Sequence, residues 1–101
     1  MPITREYSFP SRANLENFMG LVNRFTGWSL EGFYPGADRP QSGRIRVSQS
    51  LPFVQAYLDW KTSGNTVTID VTNLELHFDP GSRERCYQHL RQLAGWQGHG
   101  R

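Results

Sequence analysis

The sequence predicts an α+β fold in which a mostly antiparallel sheet of four to six strands carries two helices on one face. Apolar residues alternate along several short segments and recur every three or four positions along two longer ones, in the order β-α-β-β-β-β-α. One sheet face and one stripe of each helix then have apolar surface to bury, which favours a two-layer sandwich. A chain of 101 residues has room for one such core. We therefore expect a single domain over residues 1–96 and a flexible tail over 97–101.

The first strand is predicted from Ile3, Tyr7 and Phe9, which fall on one face of an extended segment. Ser11 follows and is suited to be the N-cap of a helix, because its side-chain oxygen can accept a backbone N–H of the first turn. The stripe that predicts this helix consists of Leu15, Phe18, Met19, Val22 and Phe25. Gly27 is its expected end.

Gly20 lies inside this predicted helix, where glycine costs up to about 1 kcal/mol relative to alanine. A tertiary reason usually compensates for such a residue. We interpret Gly20 as a position where the helix approaches the sheet closely.

A second strand is predicted to open at Trp28 and Leu30 and to end near Tyr34. Residues 35–43 contain two prolines and two glycines and therefore predict a long exposed loop. A third strand follows, with alternating aliphatic or long side chains at Ile45, Val47, Gln49 and Leu51. Its period of two places Arg44 and Arg46 together on the opposite face.

Residues 53–60 fit two patterns. Val54, Ala56, Leu58 and Trp60 alternate as in a strand, yet Pro52 is also suited to open a helix with Phe53, Tyr57 and Trp60 along one stripe. We favour the strand, because residues 62–65 form a good turn and apolar alternation resumes over residues 67–71, as in a hairpin.

In the last part of the chain, the residue pattern predicts an interruption of the strand followed by a second helix. The apolar parity changes at Asn73, from odd to even positions over residues 74–78, so we expect a bulge or an interruption. Asp79 and Pro80 suit the N-cap and the first helical position. Gly95 is the expected end of the helix. Its buried side is predicted to consist of Cys86, Leu90, Leu93 and Ala94.

Composition argues against several classes of protein. The longest apolar run is only a few residues, so no membrane span is expected, and Arg5 and Glu6 interrupt the region where a signal peptide needs an apolar stretch. The single cysteine, Cys86, permits no internal disulfide. A reducing compartment follows, and we expect a cytoplasmic protein.

Catalytic signals are sparse. His77, Asp79, Cys86 and His89 are side chains of the kind that bind zinc, but Cys86 falls on the apolar stripe and is better interpreted as a small buried residue. Asp59 and Asp70 are expected to face each other or solvent across the hairpin. We therefore assign no catalytic residue, metal or cofactor, and favour a non-catalytic role over an enzymatic one.

Arginine provides ten of the eleven basic residues, and it is concentrated in two parts of the chain. Residues 35–51 and 80–101 carry an excess of arginine, whereas residues 52–79 are acidic. The planar guanidinium suits carboxylate, phosphate and aromatic partners. The predicted partner-binding residues are Tyr34, Arg39, Arg44, Arg46, Arg83, Arg85 and Arg91.

Three functions agree with these patterns. We favour a small accessory or adaptor domain that docks onto a larger protein assembly or an acidic protein partner through an arginine and aromatic surface. A small RNA- or DNA-binding domain is the alternative, although the acidic middle of the chain and the near absence of lysine disfavour it. A pocket for a small ligand, lined by Tyr57, Trp60 and His77, is the third. Charged edge strands predict a monomer or a weak dimer.

Overall fold

The computed structural model describes residues 4–26, 32–37, 39–47, 56–73 and 80–100. These residues form β1 (Thr4–Ser8), α1 (Arg12–Thr26), β2 (Ser42–Val47), β3 (Ala56–Ser63), β4 (Thr66–Asn73) and α2 (Pro80–Trp96). The strands make one sheet in the order β1-β4-β3-β2, and every neighbouring pair is antiparallel. The predicted α+β class and antiparallel sheet are confirmed. The element order among the described residues is β-α-β-β-β-α, one strand fewer than predicted.

The predicted strand that ends near Tyr34 is the one without a counterpart among the described residues. Its residues 28–31 lie outside the described residues, and Gly32, Phe33 and Tyr34 are not in a strand. Gly32 has a φ of 85°, and the Tyr34 backbone bonds to a side chain, that of Gln41, instead of to a neighbouring strand. Residues 74–78, where the change of apolar parity predicts a bulge or an interruption, lie outside the described residues, and β4 is described as Thr66–Asn73.

One face of the sheet and one side of each helix form a common core, as the alternation and the helical stripes predict. The strands contribute Tyr7, Ile45, Val47, Ala56, Leu58, Trp60, Val67, Ile69 and Val71, each at most 2% exposed. The helices contribute Leu15, Phe18, Met19, Val22, Cys86, Tyr87, Leu90, Leu93 and Ala94. Because Phe18 of α1 and Tyr87 of α2 both reach this sheet face, the two helices lie on the same side.

The start of α1 follows the predicted capping chemistry. The Ser11 hydroxyl oxygen accepts the backbone N–H of Asn14 at 3.2 Å, as an N-cap side chain does. One turn after Asn14, Phe18 begins the aromatic contacts, with ring centroids 5.5 Å from Tyr7 and 5.1 Å from Phe9. The cap therefore fixes the helix start close to the aromatic centre of the core.

The hairpin between β3 and β4 confirms the strand interpretation for residues 56–60. Ser63 pairs with Thr66, so Gly64 and Asn65 form a two-residue turn, and Gly64 has the positive φ of 60° that such turns require. Residues 53–55 lie outside the described residues. Asp59 and Asp70 are direct cross-strand partners, as predicted.

The predicted end of α2 at Gly95 is wrong. The helix continues to Trp96, and Gly98, with a φ of 94°, ends it. The N–H of His99 donates to the Ala94 carbonyl at 3.0 Å and that of Gly98 to the Gly95 carbonyl at 3.2 Å, the bond pair of a Schellman motif. Only the residue after the helix cap needs a left-handed backbone, so the glycine at position 98 is the helix stop.

After the helix, the chain returns to β1. Nδ1 of His99 lies 3.2 Å from the Ser8 backbone nitrogen and 3.1 Å from the Ser8 carbonyl oxygen, so it accepts the Ser8 N–H when it is unprotonated and donates to the Ser8 carbonyl when it is protonated. The His99 ring lies edge-on to Tyr7 with centroids 5.3 Å apart. This contact occupies the outward-facing backbone of the edge strand β1 at Ser8. The flexibility that we expect for residues 97–101 stays a prediction.

Gly20 lies on the exposed side of α1, and an added Cβ would have no atom within 4 Å. The expectation that it permits close helix-to-sheet packing is therefore wrong. The apolar positions 18, 19 and 22 turn the opposite side of the helix to the sheet, so Gly20 has open space before it.

Candidate partner-binding surfaces

The sheet face opposite the core is polar, and neither described helix packs on it; we call it the open face. Cross-strand rows are set by the register, which pairs Arg44 with Asp59 and Asp59 with Asp70. The charged side chains of this face are Glu6, Arg44, Arg46, Asp59, Lys61 and Asp70, three of each sign. The open face therefore carries no excess charge among the described residues.

Arg44 is held in place by its neighbours on β3. Its Nε and Nη2 donate to the two carboxylate oxygens of Asp59 at 2.5 and 3.1 Å, and its guanidinium carbon lies 4.6 Å from the Tyr57 ring centroid. The hydrogen bond to Asp59, then the Asp59 charge, raises the pKa of Arg44. Arg46, opposite Tyr57, is exposed and makes no ion pair with the described residues. Arg44 is thus occupied within the chain, and Arg46 is available.

Tyr34 and Arg39 lie in the loop before β2. Both are exposed, and Tyr34 has 59% of its surface accessible. The buried amide side chain of Gln41 accepts the Tyr34 N–H at 2.5 Å and donates to the Tyr34 carbonyl at 3.2 Å. Glu16 of α1 accepts the Gly36 N–H at 2.9 Å. The exposed loop predicted from its prolines and glycines is therefore anchored at both the core and α1.

The solvent side of α2 forms a second arginine surface. We call the exposed side chains Arg85, Gln88, Arg91, Gln92 and Trp96 the α2 outer face; Glu84, which is also exposed, borders it and contacts Arg5. Trp96 is 56% exposed, which makes it one of two large exposed aromatic residues in the described part of the chain. Arg83 lies on the sheet side and is half-buried, and the part of the chain that the structure describes offers its Nε no hydrogen-bond partner.

The predicted binding residues do not form one surface. Arg44 and Arg46 lie on the open face, whereas α2 packs on the opposite side of the sheet against β1 and β4. Of the helix arginines, Arg85 and Arg91 share the α2 outer face and Arg83 does not. The sequence alone does not decide whether Trp96 is exposed or buried, because a tryptophan near a helix end suits a binding surface and the core equally well.

A third group of polar residues lies where β1 meets α2; we call Arg5, Tyr7, Glu84 and Tyr87 the β1–α2 seam. Glu84, the single acidic residue of α2, lies 3.6 Å from an Arg5 nitrogen, and the Arg5 guanidinium carbon lies 4.9 Å from the Tyr87 ring centroid. The Tyr87 hydroxyl accepts the Val71 N–H at 2.8 Å. No spacing in the sequence indicates this group, because it joins residues about 80 positions apart in different elements.

Tyr7 is the least satisfied member of the β1–α2 seam. Its side chain is 2% exposed, and its hydroxyl has no hydrogen-bond partner among the described residues. Burial raises the pKa of Tyr7 well above its usual range, and Tyr87 raises it further, while the charges of Arg5 and Arg91 lower it. The hydroxyl therefore stays protonated at neutral pH.

Of the four zinc-type side chains that the sequence analysis weighed and did not assign as a metal site, His77 and Asp79 lie outside the described residues. Cys86 is fully buried, and burial raises its pKa to about 11. A buried thiol that stays protonated at neutral pH is a poor nucleophile. The described residues contain no cluster of three or more potential metal-ligating side chains.

His77 of the alternative ligand pocket lies outside the described residues, and no common pocket forms from Tyr57 and Trp60. These residues lie on opposite faces of β3, since Trp60 is buried in the core and Tyr57 lies on the open face. A shallow depression of about 400 Å³ lies elsewhere, between the end of β1 and the chain after α2. It is lined by Ser8, Phe9, Pro10, Gly98, His99 and Gly100. No described helix is long and apolar enough to cross a membrane.

No family model, no curated protein and no solved structure matches this chain.

Proposed function

We propose that the chain is a small non-catalytic accessory or adaptor domain that docks onto an acidic protein partner through the α2 outer face. The observation that supports this most directly is the coincidence of exposed arginine and exposed tryptophan on one side of α2. Tryptophan and arginine are among the residue types most often found as energetic anchors of protein interfaces.

The charge distribution favours α2 over the other described surfaces. Of the charged residues of α2, Arg85 and Arg91 lie on the α2 outer face, Arg83 lies on the sheet side, and Glu84 contacts Arg5. By contrast, α1 carries two arginines and one glutamate, with Arg12 3.9 Å from Glu16, and the open face is balanced. An acidic partner therefore gains most from approaching α2.

The dimensions and polarity of the surface suit a transient interaction. Arg85 and Trp96 stand eleven positions apart, which corresponds to about 16 Å along the helix axis. Between them, Gln88 and Gln92 provide hydrogen-bonding groups instead of apolar contact. Obligate interfaces are more hydrophobic than this, so we expect an association that forms and dissociates.

The test compares equal charge reversals on three surfaces. Partners are captured from the native extract at low and high salt with nuclease present, and each captured protein is titrated against Arg85→Glu (α2), Arg46→Glu (open face) and Arg24→Glu (α1). We expect Arg85→Glu to weaken binding most, through a slower association rate, and Trp96→Ala to weaken it through faster dissociation. Equal effects at all three positions would show that net charge alone is recognised and would remove α2 from the proposal.

The same titrations decide between protein and nucleic acid. Attraction between exposed charges weakens gradually with salt, over a screening length of about 8 Å at physiological ionic strength. Binding to a single-stranded oligonucleotide instead falls by orders of magnitude between low and moderate salt, with a slope set by the number of phosphates neutralised. A steep slope, together with loss of the captured material after nuclease treatment, would favour the nucleic-acid alternative.

A further inference from the structure

We propose that the chain after α2 acts as a latch that keeps the edge strand β1 from pairing with β1 of a second copy of this chain. The latch consists of residues 97–100, which lie against the end of β1. When it opens, two copies can join their sheets edge to edge. This inference goes beyond the proposed function and does not depend on it, because the backbone of β1, and not α2, makes the contact.

The backbone groups of β1 point alternately towards β4 and outward. The Phe9 N–H donates to the Asn65 carbonyl of the β3–β4 turn, whereas the Ser8 N–H points away from β4. In an antiparallel ladder this alternation continues along the strand, so the outward groups are those of Thr4, Glu6 and Ser8. Those of Thr4 and Glu6 have no hydrogen-bond partner in the described ranges, and this stretch of the edge is open to another strand.

The latch occupies the third outward position. Nδ1 of His99 lies 3.2 Å from the Ser8 nitrogen and 3.1 Å from the Ser8 oxygen, so one ring covers both groups that a neighbouring strand would use. The His99 ring also contacts Tyr7, and Gly98 lies so close to Pro10 that an added Cβ would be 2.9 Å from the Pro10 Cγ. The shallow depression of about 400 Å³ between the latch and the end of β1 shows that the two are not tightly packed. A segment held by few contacts opens at a small cost in free energy.

The register of the free edge shows what the latch prevents. A two-fold axis through Glu6 would place Thr4 of each copy opposite Ser8 of the other and Glu6 opposite itself. Each opposed pair would then exchange both of its outward hydrogen bonds. With the latches closed, the bonds to Ser8 are lost and only the Glu6 pair is left. That pair sets two carboxylates against each other, which is destabilising.

The neighbouring registers are disfavoured as well. A shift by two residues in one direction requires Ser8 for every pair within β1, and the latch blocks it. The opposite shift places Arg5 directly opposite Arg5, at the closer spacing of a non-hydrogen-bonded pair. A strand of another protein need not carry glutamate or arginine at these positions. The like charges therefore identify a second copy as the partner that this edge excludes.

The experiment measures self-association of the full chain by sedimentation velocity for His99→Ala, Glu6→Thr and the double variant. His99→Ala should lower the dimer dissociation constant by at least about tenfold, because the outward groups of Ser8 become available. Glu6→Thr should tighten the dimer several-fold further in that background and have little effect alone, since the closed latch leaves a single pair. Ser8→Pro, added to the double variant, should restore the monomer, because it removes an N–H that β4 does not use.

The register has a test of its own. Directly opposed residues of a hydrogen-bonded antiparallel pair have Cα atoms about 5.5 Å apart, within reach of a disulfide. Glu6→Cys in the His99→Ala background should therefore form an intermolecular disulfide on mild oxidation much faster than Lys61→Cys, which changes an exposed residue of the inner strand β3. Cys86 is fully buried and does not compete.

Three results would overturn the latch. One is a double variant that stays as monomeric as the wild type. Another is self-association that Ser8→Pro leaves unaltered, which shows that the β1 edge is not the contact. The third is an equal rate of oxidation at positions 6 and 61. Deletion of residues 99–101 opens the same edge and replaces His99→Ala should that variant fail to fold. In each case, loss of the captured partner on Arg85→Glu still supports the proposed function.

Discussion

Gly20 is a residue whose conformational cost is not offset by any contact in the described structure. It lies in the middle of α1 on the exposed side, pointing away from the core that Phe18, Met19 and Val22 enter. Glycine in a helix interior is destabilising because the unfolded chain loses more conformational freedom there than with any other residue. The helix is therefore less stable than its length and cap allow.

Gly20→Ala should raise the free energy of unfolding by up to about 1 kcal/mol, because alanine restores helix propensity and its Cβ meets open space. Urea denaturation at constant m-value measures this. Gly98→Ala is the matched opposite, since Gly98 has a φ of 94° and an added Cβ would lie 2.9 Å from Pro10 Cγ. A stabilising Gly98→Ala, or a destabilising Gly20→Ala, would contradict the assignment of the two glycines.

Sequence patterns could not predict the role of a residue whose partner lies far away in the chain. Cys86, Leu90, Leu93 and Ala94 could be predicted as buried, because their spacing is local to one helix. Tyr87 could not, since its hydroxyl serves the Val71 N–H of another element. Gln41 is a further case, because a polar residue in a proline- and glycine-rich segment is expected to be exposed. In the structure it is 7% exposed, and its side chain accepts the backbone N–H of Tyr34. The same limit applies to the β1–α2 seam.

At the scale of elements, Phe18 of α1 makes a contact that joins the helix layer to the sheet layer. Phe18 is fully buried and packs against the rings of Tyr7 and Phe9 on and just after β1. Removing it takes away apolar contact from the helix and from the edge strand together. On the other side of the same helix, Arg24 is exposed.

Phe18→Ala should lower the free energy of unfolding by roughly 3–5 kcal/mol, a large part of the roughly 5–15 kcal/mol typical of domains. Arg24→Ala should change it by less than about 0.5 kcal/mol, as surface substitutions usually do. Thermal and urea unfolding of both variants test this. Similar midpoints for the two would show that the buried stripe of α1 is not where the structure has it.

The ends of helices and strands were predicted well where a single residue marks the boundary, and poorly where several nearby residues could each mark it. Ser11 is followed by a clear apolar stripe, and its hydroxyl caps α1 as expected. Three glycines follow one another closely after Ala94, and the sequence does not reveal which of them adopts the left-handed backbone of the stop. Gly32 and Tyr34 flank an aromatic residue that suits a strand, but the backbone there turns to meet Gln41.

At the scale of the whole molecule, the two edges of the described sheet differ. At the β1 edge, the outward N–H of Ser8 bonds to His99. Val71 of β4 lies just past the first residue of β1, and its N–H donates to the Tyr87 hydroxyl. At β2, the edge strand carries Arg44 and Arg46 on one face. Charged side chains on an edge strand oppose pairing between copies, because like charges would meet across the new ladder.

We expect sedimentation at micromolar concentration to give a monomer or a weak, salt-sensitive dimer. Replacing both edge arginines, as Arg44→Val with Arg46→Val, should increase self-association, since it removes the repulsion and adds β propensity. Replacing two exposed α1 residues, as Asn17→Val with Arg24→Val, controls for added apolar surface. A salt-resistant oligomer of the wild type, or equal association of the two variants, would contradict this account of the β2 edge.

The bond between Ser8 and His99 joins residues 91 positions apart and makes a single amide proton a reporter for the end of the chain. While His99 is docked, the Ser8 amide is protected from exchange with deuterated solvent; when the segment lifts, it is exposed. The adjacent Phe9 amide bonds to the Asn65 carbonyl at 3.0 Å and is the internal reference, because it does not depend on His99. If residues 97–101 are as mobile as the sequence predicts, Ser8 exchanges almost as fast in the wild type as in His99→Ala. A slow wild-type rate that His99→Ala alone abolishes would instead make the contact a lasting part of the native state.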